Sequence, residues 1–344
     1  MCIRDRYTLF PDAGSGSYFW SDLVDDDLSG AIDWSFPLEL FSNNASIKLG
    51  AMYRERSRDF SSRRLVWDFL ENTIADLDDS LAEGTVTPAA RRPGQFALDD
   101  IVEPGNLYDA TDDRVAGYAM LDFRPTKNLQ TIFGARVETY DLGLNSRGES
   151  LQAVEKTDIA PSINVIYSAS DRLKIRAAGS RTVDRPEFRE LAPFQFTEAA
   201  SLRQLFGNPS LQPAEIISTD LRLDFFPAPG EIFSIGGFFK MLDEPIEQVF
   251  IAAASTAYSF QNADEATILG LEVEAQFGME RLSPVLEPLS LSANYSWVDS
   301  DVTVRAGSIF EPTNMLRPLE GQASYVVNVG INWDQMTGVE AGLF

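Results

Sequence analysis

The side chains of this 344-residue chain that could do chemistry are few, and their types point to binding rather than to bond making. There is no histidine, so the commonest general base and the commonest transition-metal ligand are missing. A Ser-His-Asp triad, a histidine-bearing zinc site and histidine ligation of haem are excluded within the chain. One cysteine, Cys2, allows no internal disulfide. Asp25-Asp26-Asp27 and Asp299-Ser300-Asp301 offer hard oxygen ligands, but neither has the ligand spacing of a calcium loop. No catalytic residue, metal or cofactor is expected, and the chain does not read as an enzyme. What remains is a set of aromatic residues in polar stretches: Tyr18, Phe19, Trp20, Trp67, Phe194, Phe196 and Phe206. Aromatic faces stack on sugars and planar ligands, and they equally pack loops together. Trp20, Trp67, Phe194, Phe196 and Phe206 are the candidate ligand contacts.

Two further groups stand out. Arg185-Pro186-Glu187-Phe188 places a proline where a strand must end, because proline fixes φ and lacks a donor. Arg185 and Glu187 are expected to pair there. Gly207-Asn208-Pro209 is a turn signal. Both read as structural.

The elements that position these residues are strands. Leu129–Tyr140, Ile159–Tyr167, Leu173–Thr182, Asp220–Phe226, Ile232–Met241, Ile268–Phe277, Leu289–Trp297 and Tyr325–Trp333 are apolar at every second position. Short turns follow Phe123, Tyr167, Phe226 and Trp333, and long polar stretches follow Tyr140, Thr182, Met241 and Trp297. Such strands of about ten residues match the roughly 9–11 needed to cross a bilayer. The faces separate cleanly: Leu269, Leu271, Val273, Ala275 and Phe277 oppose Glu272, Glu274 and Gln276. Likewise Leu289, Leu291, Ala293, Tyr295 and Trp297 oppose Ser290, Ser292, Asn294 and Ser296. The first set suits lipid and the second a watery lumen, with Tyr and Trp at strand ends as girdles. A soluble sandwich would alternate too, but it would not alternate short and long connections so regularly. The expected fold is all-β, an antiparallel up-and-down transmembrane barrel. Its inward charges Arg136, Glu138, Lys174, Arg176, Arg222, Asp224, Glu272 and Glu274 are expected to pair across neighbouring strands or to meet a body that fills the lumen.

Composition agrees. Hydrophobic residues make up 44% and mean hydropathy is −0.13. No run approaches the roughly 18 apolar residues of a membrane helix, which a barrel does not need. The net charge of −24 repels nucleic acid and suits exposed loops. Tyr7–Leu28 reads as a loop. Ser57–Asp113 reads as a long external loop with an amphipathic helix over Arg64–Leu81, where Leu65, Phe69, Thr73, Leu77 and Leu81 recur every fourth residue. Met1–Arg6 has no apolar signal-peptide core, so a native start further upstream is expected.

The stretch Arg181–Pro213, with Arg185-Pro186-Glu187-Phe188 and Gly207-Asn208-Pro209-Ser210-Leu211, closely resembles the barrel of TonB-dependent outer-membrane receptors. Gly236-Gly237-Phe238-Phe239-Lys240 with Asp243-Glu244-Pro245-Ile246-Glu247, Gly270-Leu271-Glu272-Val273-Glu274 and Leu316-Arg317-Pro318-Leu319-Glu320-Gly321-Gln322 continue the resemblance in order. It implies a barrel of about 22 strands plugged by an N-terminal domain. It also implies active import, across the outer membrane of a Gram-negative bacterium, of a large scarce solute: an iron chelate, a vitamin or an oligosaccharide. The TonB complex would supply energy through that plug, and outer-membrane lipid would surround the strands. Residues 1–344 hold no plug-like segment and about 12 strands, so they read as part of one such barrel domain. The alternatives are a passive channel of about 14 strands and a soluble secreted β-rich binding protein.

Overall fold

A computed structural model describes residues 8–12, 15–41, 43–69, 96–101, 107–146, 149–192, 194–197, 204–252, 257–281, 283–304, 316–335 and 339–343. The strands are β1 (Thr8–Asp12), β2 (Ser15–Leu40), β3 (Asn43–Phe69), β4 (Phe96–Ile101), β5 (Leu107–Thr126), β6 (Leu129–Ser146), β7 (Glu149–Ser170) and β8 (Leu173–Asp184). A one-turn helix, α1 (Phe188–Leu191), precedes β9 (Gln195–Thr197), β10 (Gln204–Phe206), β11 (Ala214–Phe225), β12 (Ile232–Asp243), β13 (Ile246–Ala252) and β14 (Ala257–Asn262). β15 (Glu265–Gly278), β16 (Leu289–Thr303), β17 (Leu316–Arg317), β18 (Tyr325–Gln335) and β19 (Val339–Leu343) complete the chain. The main sheet follows the order β1-β2-β3-β5-β6-β7-β8-β11-β12-β15-β16-β18-β19, with β4 beside β3 and β17 beside β16. Every pairing along that path is antiparallel. The sheet is open: among the described residues β1 pairs only with β2 and β19 only with β18. This is the arc of a wide barrel that the strand count called for.

Tight turns collect on one rim, and their chemistry is local. The Thr126 hydroxyl accepts from the Asn128 and Leu129 N–H groups at 3.3 and 3.1 Å. Ser170 does the same for Arg172 and Leu173 at 3.3 and 3.1 Å. Gly230 supplies the positive φ of 80° that its turn needs.

The opposite rim departs from expectation. Tyr7–Leu28 is largely strand, not loop, since it supplies β1 and the first half of β2. Ser57–Phe69 extends β3, and Leu107–Asp113 opens β5, so both arms of the expected long loop are strand. Arg64–Phe69 is likewise not helical, because it pairs with Phe96–Ile101 residue by residue. A cross-strand partner, with the β-favouring Val66, Trp67 and Phe69 in the segment, outweighs the four-residue period. The remainder of that expected helix, residues 70–81, lies outside the described residues. Asp141–Asp158 is also not loop, as β6 and β7 rise beyond the membrane to Ser146 and from Glu149.

Along these tall strands side chains keep their alternation while the polarity of the two faces exchanges. Nearest the tight turns, Val115, Phe133, Val137, Ile159, Ile163, Leu269, Leu271 and Val273 are outward and exposed. Higher up, Tyr108, Ala110, Tyr140, Leu142 and Leu144 are inward and buried. Their outward neighbours are Asp109, Thr111, Asp113, Asp141 and Asn145. The lower band fits lipid outside and water inside, and the upper band water outside and a core inside.

Candidate functional site

The upper core is built by the connection between β8 and β11. Pro186 ends β8 and turns the chain inward, where α1 forms. Glu190 and Leu191 donate backbone bonds to the Glu187 carbonyl at 2.9 and 3.1 Å, and the Glu190 carboxylate accepts from the Glu187 N–H at 2.9 Å. Burial raises the Glu190 pKa against that bond. Phe188, Leu191, Ala192, Phe194 and Leu211 then pack on Phe60, Tyr108, Tyr140, Leu142 and Leu144 of the β3-β5-β6 wall. Each large side chain so buried contributes about 1.5–3 kcal/mol.

The Gly-Asn-Pro turn has a similar logic. A Cβ on Gly207 would lie 2.0 Å from the Ala192 carbonyl oxygen, so no other residue lets the chain lie this close to α1. The Asn208 N–H donates to the Glu190 carbonyl at 2.6 Å, and its side-chain amide to the Phe260 carbonyl at 2.8 Å. Asn262 donates to the Gln212 and Glu244 carbonyls at 2.8 and 2.7 Å and accepts from the Gln212 N–H at 2.9 Å. β10 joins β14 in parallel, which merges two loops into a four-stranded sheet, β13-β14-β10-β9. Arg317, from the next loop, holds Glu247 at 2.7 Å, while burial pushes the Glu247 carboxyl upward. Three successive loops are therefore bonded to one another.

Beneath α1 lies a polar cavity of about 350 Å³ lined by Arg54, Arg56, Asp112, Arg114, Arg185 and Phe188, among others. Period-two spacing puts Arg54, Arg56 and Arg58 on the inward face of β3, with Asp25 and Asp27 beside them on β2. Arg54 Nε bonds Asp27 at 3.1 Å, Arg56 Nη2 bonds Asp25 at 2.9 Å, and Arg58 Nε bonds Asp25 at 2.8 Å. Arg56 and Arg58 also lie over the Phe188 ring at 5.0 and 5.3 Å. The Arg56 bond lowers the Asp25 pKa to about 2. Arg114 holds Asp112 at 2.8 Å. Arg185 closes the cavity. It bonds Glu138 at 2.8 Å and Asp158 at 2.9 Å, and it stacks 4.2 Å over the Tyr140 ring. Its partners thus lie on β6 and β7 rather than at Glu187, the partner expected from sequence. The cavity presents guanidinium forks whose carboxylate partners are themselves exchangeable acceptors, which suits an oxyanion-bearing solute.

Among the described side chains, Trp20, Phe194 and Phe206 do not line this cavity. Phe194 is 5% exposed and meets Phe60 edge-on at 4.7 Å, so it packs the core rather than presenting a face. Trp20 sits opposite Arg63, whose guanidinium lies 5.2 Å from its ring, on the face of β2 opposite to Asp25. Trp67 belongs to β3, and Phe196 to β9 opposite Leu205. Phe206 ends β10 half-buried. The arginines were missed, although Arg54-x-Arg56-x-Arg58 facing Asp25-x-Asp27 was a usable signal once both runs are placed on strands.

Lower in the lumen several of the inward charges pair, some within one strand, while Lys174 lies over the Phe226 ring at 5.4 Å. Arg136 bonds Glu138 at 2.9 Å, Arg176 bonds Asp224 at 2.7 Å, and Arg222 bonds both Asp224 at 2.7 Å and Glu274 at 2.5 Å. Gly236 stands between Arg222 and Glu272 in register, and Arg222 reaches across β12 to Glu274 of β15.

An arc of tall antiparallel strands with tight turns on one rim and a polar site under inward-folded loops on the other defines an outer-membrane β-barrel. The model of the TonB dependent receptor-like, beta-barrel family matches residues 4–343, and the chain belongs to that family. No curated protein matches the sequence. Among solved structures it is similar to the alcaligin receptor FauA from Bordetella pertussis (14% identity, TM-score 0.53, covering 93% of this chain and 44% of that one). It is also similar to the ferric citrate transporter FecA (13% identity, TM-score 0.58, covering 94% and 40%). The ferric enterobactin receptor PfeA from Pseudomonas aeruginosa is a third (16% identity, TM-score 0.55, covering 95% and 46%). At these identities the likeness is one of fold, and the chain spans less than half the length of each of these receptors.

Proposed function

We propose that this chain is part of an active-transport receptor that imports an anionic iron chelate, with energy from the TonB complex. The observation that carries the reading is the arginine-lined cavity in the mouth of a barrel similar in fold to ferric-chelate receptors. A chelate whose carboxylate or catecholate oxygens displace Asp27, which is exposed enough to return to water, would gain bidentate bonds to Arg54, with the Arg114 guanidinium beside it. Outer-membrane lipid is the surrounding solvent of the lower band.

The test is ferric citrate and ferric enterobactin binding to the whole receptor, by quenching of its tryptophans, with an Arg54→Ala/Arg114→Ala variant beside it. Loss of two charge-assisted contacts is expected to weaken binding by on the order of 100-fold. Uptake should cease when an uncoupler collapses the proton gradient. Uptake insensitive to the uncoupler would mark a passive channel, and binding of a vitamin or oligosaccharide alone would overturn the iron-chelate reading.

A further inference from the structure

The lumen wall has two sectors of different chemistry at the same depth. Near the tight turns of β8, β11 and β15 long, charged inward side chains are tied to one another, as in Arg176–Asp224–Arg222–Glu274. On β16 and β18 the inward face changes character. β16 carries Ser290, Ser292 and Asn294, opposite Asn332, Gly330 and Asn328 of β18, with no charge among them. Few bonds tie this face together: Asn328 donates to Asn294 at 2.8 Å, and Ser292 to the Gly330 carbonyl at 3.3 Å. Asn294 and Asn328 are exposed to the lumen.

The difference bears on movement. A solute sliding along the charged sector must break charge-assisted bonds, roughly twice as strong as neutral ones, and a solute of either sign is held by the opposite charges there. Along the serine and asparagine face each contact is a neutral hydrogen bond worth about 1 kcal/mol net, and each can be exchanged for the next. Passage needs binding favourable enough to enter and weak enough to leave, and the second sector meets both conditions where the Arg176–Asp224–Arg222–Glu274 cluster does not. Side chains there are short, whereas the charged sector offers a body filling the lumen fixed points such as the exposed Glu272, for which the described residues show no ion pair.

We infer that the uncharged face of β16 and β18 is the lane along which the solute crosses the membrane, and that it takes solutes presenting hydroxyl and amide groups at their surface. The inference rests on the transport reading but not on the identity of the chelate.

The experiment uses the whole receptor in its native outer membrane, with Cys2→Ser as background. Single cysteines are placed in the lane, Asn294→Cys and Asn328→Cys, and in the charged sector, Asp220→Cys and Glu272→Cys. A hydrophilic, membrane-impermeant maleimide is the probe. In energised cells the lane cysteines should be labelled on the order of tenfold faster than the charged-sector pair, and an uncoupler should abolish the difference. Equal rates, faster labelling at Asp220→Cys and Glu272→Cys, or a contrast indifferent to the uncoupler would overturn the lane. A second measurement uses Asn294→Trp with ferric citrate as probe: surface binding should persist while uptake falls at least several-fold, and unchanged uptake would count against the lane. If the unmodified receptor takes up no ferric chelate, the substrate reading fails, while the labelling contrast still decides the lane.

Discussion

The membrane band and the mouth are made by the same strands, yet they are organised in opposite ways. In β6, Phe133 and Val137 point outward at 45% exposure each, while Tyr140, Leu142 and Leu144 point inward and are at most 3% exposed. The side-chain alternation is continuous, and only the identity of the apolar face changes. A strand has no inside of its own: lipid defines the apolar side below, and the folded-in loop with α1 defines it above. Residues 129–146 thus show that a barrel strand can switch solvent partners without a bulge or a break between the two bands.

The largest expected effect tests the joint between the regions. Arg185→Ala strips Glu138 and Asp158 of their buried shared partner and leaves only the more exposed Arg136 and Lys156, and removing one member of a buried ion pair costs about 3–5 kcal/mol. Urea unfolding of the whole receptor in detergent should register that loss. Arg222→Ala should cost less, because Asp224 keeps Arg176 and Ser234.

The core of the mouth comes next. Leu144→Ala, at a site with 0% exposure, should cost about 2–5 kcal/mol and expose the loop sheet to protease. A cost near zero would mean that the loop does not pack on β6 in solution.

A paired substitution probes the exchange of faces directly. Val137→Arg and Asp141→Arg lie on the same outward face of β6. The first puts a charge against lipid, at about 2–4 kcal/mol for a site near the membrane midplane, and the second puts it in water, at about 0–1 kcal/mol. Equal penalties, by unfolding from vesicles, would remove the boundary drawn between the bands.

The smallest effect is one of pH. The Asp25 pKa is lowered from 3.8 to about 2 by Arg56 and Arg58, so its contribution is complete above 3.8 and is lost as pH falls toward about 2. Asp25→Asn should remove part of the acid sensitivity of the mouth, read as protease resistance of the loop between pH 4 and 2. An identical acid profile in the two proteins would break the link.

How far the sequence was legible follows the same division. Leu289–Trp297 reads correctly as a membrane strand because one face alternates without interruption, and β16 holds it in register with both neighbours. Asp141–Asp158 was read as loop because the apolar positions move from odd to even after Tyr140, which destroys a period-two signal averaged over the segment. Ser57–Phe69 was masked by charge, Arg58, Asp59, Arg63 and Arg64, that suits a loop as well as a water-facing strand. The arginine cavity escaped because its members lie on β2, β3, β5 and the β8–β11 connection, and no local pattern announces that these meet.

Residue order alone determined the class of fold, the lipid-facing residues of the lower band, the rim of tight turns and the family, since each depends on neighbours within about ten residues. Tertiary structure decided the height of the strands, the burial of Phe188 and Leu191, and the partners of Arg185, Arg56 and Arg222. Those depend on which residues of distant strands stand opposite one another, and a pairing register is set by whole faces and by what they are packed against, not by any one segment.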